Sequence, residues 1–141
     1  QPEQIKFYQP IERVFHKGLP DKEQFLSFER LWEAYEDEAP PPDNGFLYEY
    51  APVTSCELAK QLKELSIDAF KAVKGMGYAR LDFRLDKKTG KLFVLEINAQ
   101  CGLSDDENYT SIGAILRVSD KTFTDLIVEV LDDALLRKST V

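Results

Sequence analysis

Four polar residues in the second half of the chain have the types and spacing to hold divalent cations against phosphate oxygens: Arg80, Asp82, Glu96 and Asn98. Each pair is separated by one residue, so on a strand both members project from one face. Carboxylate and amide oxygens are hard donors that suit Mg²⁺ or Mn²⁺. Mg²⁺ takes one or two protein carboxylates and completes its octahedron with water and phosphate oxygens. A guanidinium beside such ions is placed to stabilise charge on a transferring phosphoryl group.

A β-hairpin positions these residues. Tyr78–Leu85 (YARLDFRL) and Lys91–Ala99 (KLFVLEINA) read as strands, joined by the five-residue DKKTG connection ending in Gly90. Ala79, Leu81, Phe83 and Leu85, with Phe93, Leu95, Ile97 and Ala99, form an apolar odd-numbered face. The even positions put Arg80, Asp82, Arg84, Glu96 and Asn98 on the other face. Pairing Leu85 with Lys91 places Arg80 opposite Glu96, with Asp82 one diagonal step away. The same residues also read as the solvated face of a half-buried sheet with an Arg80–Glu96 cross-strand ion pair. Asn98 counts slightly against that alternative, because asparagine is a poor strand residue except at an end.

The flanking sequence supplies a scaffold. Over Ser55–Lys74, Leu58, Leu62, Leu65, Ala69 and Val73 recur at helical spacing. Thr54 and Glu57 have the spacing of a capping box, and Gly75 and Gly77 stop the helix. A second helix is predicted over Lys121–Arg137, with Phe123, Leu126, Ile127, Val130 and Leu131 as its apolar stripe. Ile112–Arg117 makes a short segment before it. Upstream, Ile11–His16 reads as a strand and Phe46–Tyr50 as a short extended piece. Residues 21–39, with Phe25, Phe28, Trp32 and Tyr35, read as an ordered aromatic-rich loop. Ala39–Gly45 is a breaker. The fold class is α+β: an antiparallel sheet around the 78–99 hairpin, with helices 55–74 and 121–137 on its apolar face.

The chain has 141 residues, 43% of them hydrophobic and 11% aromatic, enough for one domain with a core. A net charge of −7 argues against general nucleic-acid binding but leaves room for a nucleotide held through metal ions. Cys56 and Cys101 form neither a CxxC pair nor a disulfide framework, which points to a reducing, cytoplasmic setting. No apolar run is long enough to span a membrane, and there is no signal-peptide pattern. The chain opens on Gln1 without a cap or turn signal, as expected of a segment inside a larger protein.

The string GYARLDFRLD…GKLFVLEINAQCGLS resembles the closing segment of ATP-grasp ligases of the D-alanine–D-alanine ligase type. That family carries Arg-x-Asp on one strand and Glu-x-Asn on the next, then a short loop with Gly. Here these are Arg80-Leu81-Asp82, Glu96-Ile97-Asn98 and Gly102. The resemblance is strong over 54–104, fair to the C-terminus and weaker over 1–53, where FLSFERLW is similar to an aromatic-rich family loop. It implies that residues 1–141 form the C-terminal part of an ATP-grasp domain. Residues 1–53 would be the strand and aromatic-rich loop region; residues 54–141 would hold the helix, metal-binding hairpin and closing helix.

The resemblance further implies Asp82, Glu96 and Asn98 as metal ligands for Mg²⁺ (or Mn²⁺), with Glu96 bridging two ions. Arg80 would steady the γ-phosphate and an acyl phosphate, and Gly102 would offer an oxyanion donor. Leu95 and Glu96 would contact ATP, Leu95 beside the adenine. The activity implied is ATP-dependent joining of a small-molecule carboxylate to an amine, with the missing N-terminal ATP-grasp regions required. The sequence departs from the family pattern in three places. Leu31 stands where a Lys is usual, Cys101 stands where a Pro precedes the loop Gly, and SDDENYTS (104–111) is unusually acidic. These departures keep open a second reading, a non-catalytic ATP-grasp remnant that serves as a binding or structural module.

Other residues read more plainly. Cys101 is a small loop residue, and His16, the single histidine, is a strand-end residue. Trp32 and Tyr35 read as packing. Glu36–Glu38 and Asp105–Glu107 read as solvated acidic faces, and Ser104 and Ser111 as candidate substrate contacts.

Overall fold

A computed structural model describes residues 5–26, 46–106 and 110–138. Strand β1 (Ile11–Phe15) pairs antiparallel with β2 (Tyr48–Pro52), and β3 (Arg80–Leu85) pairs antiparallel with β4 (Leu92–Asn98). Helix α1 (Cys56–Ala72) joins the two sheets, and α2 (Ser111–Val118) and α3 (Phe123–Lys138) follow the hairpin. The class is α+β, with two separate two-stranded sheets in place of one sheet around the hairpin. The expected Lys-position loop residue, Leu31, lies outside the described residues, as do Phe28, Trp32, Tyr35, Glu36–Glu38 and the 39–45 breaker.

The β1–β2 ribbon is tied by its side chains. Arg13 lies over the Tyr48 and Tyr50 rings, 4.8 and 5.5 Å from their centroids, a cation–π arrangement. Phe15 meets Tyr48 edge-on with centroids 5.9 Å apart. Helix α2 packs on this ribbon, and its Gly113, Ala114 and Leu116 are buried. Small residues on that face let the helix backbone come close. This is the closest approach of a helix to a sheet among the described residues. Leu62, Leu19 and Cys101 complete the buried apolar set. Leu65 and Val73, predicted for the core, are exposed, as is Leu131.

Helix α1 starts one residue later than the capping-box spacing suggests. Ser55 is the N-cap, its Oγ accepting the Leu58 N–H at 3.2 Å, while Glu57 accepts from the Gln61 side chain. A Ser next to a Thr offers two candidate caps, and the backbone uses the second. At the other end the left-handed residue is Lys74 (φ 54°), not a glycine. Gly75 N–H bonds the Phe70 carbonyl at 2.8 Å and Lys74 N–H bonds that of Lys71, closing a Schellman motif. Gly75 is needed for space: a Cβ there would overlap the Phe70 ring.

Candidate metal and phosphate site on the hairpin

The hairpin turn sets the register. Asp86 N–H bonds the Lys91 carbonyl at 2.9 Å, and the Asp86 carboxylate accepts from Lys88 N–H and the Thr89 hydroxyl. The strands therefore begin pairing at Leu85↔Leu92, one residue beyond the expected Leu85–Lys91. A β-bulge then inserts one extra residue in β4, Leu95, so that Asp82 pairs with Glu96 and Arg80 with Asn98. The predicted Arg80–Glu96 opposition is corrected on both counts. The Asp82–Glu96 pairing is direct rather than diagonal, so the two residues stand opposite each other across the ladder.

The bulge also splits the apolar face. Beyond it, Phe93 pairs with Arg84, on the charged face, while Val94 joins Phe83. Leu95 is 64% exposed within the bulge.

Arg80 is the most heavily engaged member of the group. Its Nε and Nη2 donate to the two Asp82 carboxylate oxygens at 2.8 and 2.9 Å, a two-pronged fork along one strand. Its Nη1 donates to Ser111 Oγ at 3.3 Å, on the first residue of α2. Burial opposes the charge on Arg80, but the Asp82 hydrogen bonds and charge outweigh it, and the guanidinium is held above its ordinary value. Glu96 adds to the same field. Asn98 turns its Oδ1 to the Gln100 N–H at 3.0 Å.

The loop after β4 lies against this group. Cys101 is buried at 3% exposure, near enough to Arg80 for the guanidinium charge to act on its thiol. Burial pushes the thiol up, against the pull of the Arg80 charge, so it stays protonated at neutral pH. Gly102 is exposed, with open space where a Cβ would stand. Its N–H donates no hydrogen bond among the described residues.

The structure thus gathers Arg80, Asp82, Glu96 and Asn98 by strand pairing, places Cys101 beside them, and adds Ser111 through Arg80. Ser104 instead accepts the Asp106 N–H at 3.1 Å in a local turn. His16 accepts the Gly18 N–H through Nδ1 just past β1. The Ser111–Arg80 contact is the part that sequence reasoning did not assign. Its signal is Thr110, an N-cap residue immediately before the 112–116 apolar run.

An α+β chain whose hairpin sets an Arg-x-Asp strand against a Glu-x-Asn strand defines a class with a matching family model. A family model described as D-ala D-ala ligase C-terminus matches residues 32–132. This chain belongs to that family. The D-alanine–D-alanine ligase of Bartonella henselae is 27% identical over 106 residues, covering 75% of this chain and 34% of the relative. The D-alanine–D-alanine ligase of Heliobacterium modesticaldum is 36% identical over 62 residues, or 44% of this chain and 17% of the relative. An uncharacterized protein of Sinorhizobium fredii, y4sG, is 38% identical over 78 residues, 55% of this chain and 22% of the relative. The chain spans about a third or less of the length of the curated relatives it matches. No solved structure matches it. No helix among the described residues is long and apolar enough to cross a membrane.

Proposed function

We propose that this chain carries the metal- and phosphate-handling part of an ATP-grasp ligase that joins a carboxylate to an amine, working in the cytoplasm. The reading is supported by family membership together with one geometric observation. Asp82 pairs directly with Glu96 while Arg80 pairs with Asn98 on the same face of the hairpin. On this reading residues 1–53 and 54–141 are two stretches of one C-terminal domain, and the N-terminal ATP-grasp regions complete the nucleotide site.

The donor set fits Mg²⁺ or Mn²⁺. Two carboxylates and one amide are hard oxygen donors, the kind from which Mg²⁺ takes one or two before filling its shell with other oxygens. That pattern suits an ion that keeps coordination positions for water and phosphate oxygens. Asp82, Glu96 and Asn98 would hold the ions, with Glu96 shared between two. When bound, the ions neutralise phosphate charge.

In the proposed reaction, a carboxylate oxygen takes the γ-phosphoryl group of ATP, giving an acyl phosphate and ADP. An amine then attacks the acyl carbon, loses a proton and displaces phosphate, forming the amide. Arg80 steadies the phosphoryl group in both steps, and Gly102 N–H donates to the oxyanion at the tetrahedral centre. Leu95 packs beside the adenine. These roles are chiefly placement and charge stabilisation.

The test is Mn²⁺ titration with a nucleotide analogue on a complete ligase polypeptide carrying this segment. Asp82→Asn and Glu96→Gln should each weaken metal uptake at least about tenfold. Unchanged uptake in both would leave the chain as a non-catalytic binding module of the same family.

A further inference from the structure

On the molecule's helical side, a cleft of about 460 Å³ lies between the N-terminal segment and helices α1 and α3. Its size falls in the roughly 300–1,000 Å³ range of small-molecule sites. Lys6, Lys63 and Lys121 line it, and among the lining residues only Glu129 opposes them, a local excess of positive charge in a chain of net charge −7.

Glu129 organises the cleft. Its Oε2 accepts from the Tyr8 hydroxyl at 3.1 Å and from Lys6 Nζ at 3.4 Å, and its Oε1 accepts from Lys121 Nζ at 3.1 Å. Burial would raise its carboxyl, but the three donors together hold it below the ordinary range. One carboxylate thereby pins two ammonium groups from opposite ends of the sequence. Each ammonium has three N–H donors and spends one on Glu129, which leaves the others for a ligand. Lys63, on α1, makes no ion pair among the described residues. Asp125 does not line the cleft; it caps Thr122, accepting its N–H and hydroxyl at 2.8 and 2.7 Å. Phe7 and Tyr8 give the cleft a half-buried aromatic wall.

We propose that this cleft is a second binding site, for a small organic phosphate: a dianion seated on Lys6, Lys63 and Lys121, with a flat apolar body against Phe7 and Tyr8. None of its lining residues belongs to the hairpin group, so the proposal stands apart from the ligase reading.

Calorimetric titration of the full chain, in chelator and at low ionic strength, tests it with phenyl phosphate and inorganic phosphate as probes. Phenyl phosphate should bind one saturable site more tightly than inorganic phosphate, and amide NMR shifts should cluster at residues 5–9, Ser119 and Lys121. Lys63→Glu, at an exposed helix position, should weaken binding about tenfold or more, whereas Lys88→Glu in the hairpin turn should leave it unchanged. Absence of saturable binding, equal affinity for the two probes, equal losses in the two variants, or shifts centred on the hairpin would each overturn the proposal.

Discussion

Arg80 grips Asp82 with two parallel N–H bonds, 2.8 and 2.9 Å long, while its remaining arm reaches Ser111. A residue that ties a strand carboxylate to the start of a helix fixes both the angle of its own guanidinium and the carboxylate beside Glu96.

The first prediction concerns that guanidinium. Lysine has no planar fork and cannot make the paired bonds and the Ser111 bond together. Asp82 is 37% exposed, so solvent screening limits the loss of stability in Arg80→Lys to about 1 kcal/mol or less. Turnover of a complete ligase carrying Arg80→Lys should fall about 10²-fold or more. Urea unfolding and steady-state kinetics on the same variant separate the two effects.

Asp82 and Glu96 are partners across the ladder, so their effects on metal affinity should not add. The double variant Asp82→Asn/Glu96→Gln should lose less Mn²⁺ affinity than the two single losses combined. Strict additivity in the titrations would mean that the two carboxylates act at separate places.

The helix cap gives a sharp contrast between neighbours. Ser55→Ala should destabilise the chain by about 1 kcal/mol, because it removes the acceptor for Leu58 N–H. Thr54→Ala should cost no more than a few tenths of that figure, within the range of surface substitutions. Chemical denaturation midpoints decide between them.

The two thiols should behave differently. Cys56 is exposed at the first position of α1, while Cys101 is buried and held protonated beside Arg80. A disulfide reagent at pH 8 should label Cys56 in the folded chain and reach Cys101 only as fast as the structure opens. Mass spectrometry of partially labelled protein reads the order directly.

Glu129 makes stability depend on pH. Its carboxyl ionises more readily in the folded chain than in the unfolded one. The stabilisation is therefore fully present above the unfolded value, about 4.3, and is lost as pH falls through the lower folded value. The lysine partners are 65% and 39% exposed, so the contribution at neutral pH is about 0.5–1 kcal/mol after screening. The difference in melting temperature between the natural chain and Glu129→Gln should be present at pH 7 and shrink as pH falls below the ordinary glutamate range.

The hairpin and both long helices were legible in the sequence because their apolar residues repeat at two or at three to four positions. The register was not. Phe93, Val94 and Leu95 are all apolar, so alternation carries no mark of where an extra residue is absorbed. The bulge changed which residues face each other but kept the four polar side chains on one face, since its position falls between Glu96 and the turn. Cap choice failed for a similar reason, two competent hydroxyls standing side by side. The docking of α2 on the β1–β2 ribbon, and with it the Ser111–Arg80 contact, depends on three segments far apart in sequence. No local period encodes it.

Among the described residues β3 and β4 each have a single laddered neighbour, so their ribbon presents outer margins with no further described strand to pair with. Ribbons of this width are rarely self-sufficient in water. The margin of β4 bears Phe93, Val94 and Leu95, three exposed apolar side chains in a row. At high concentration that margin is where a strand from another molecule would add, and shielding it is the first requirement for keeping this segment in solution.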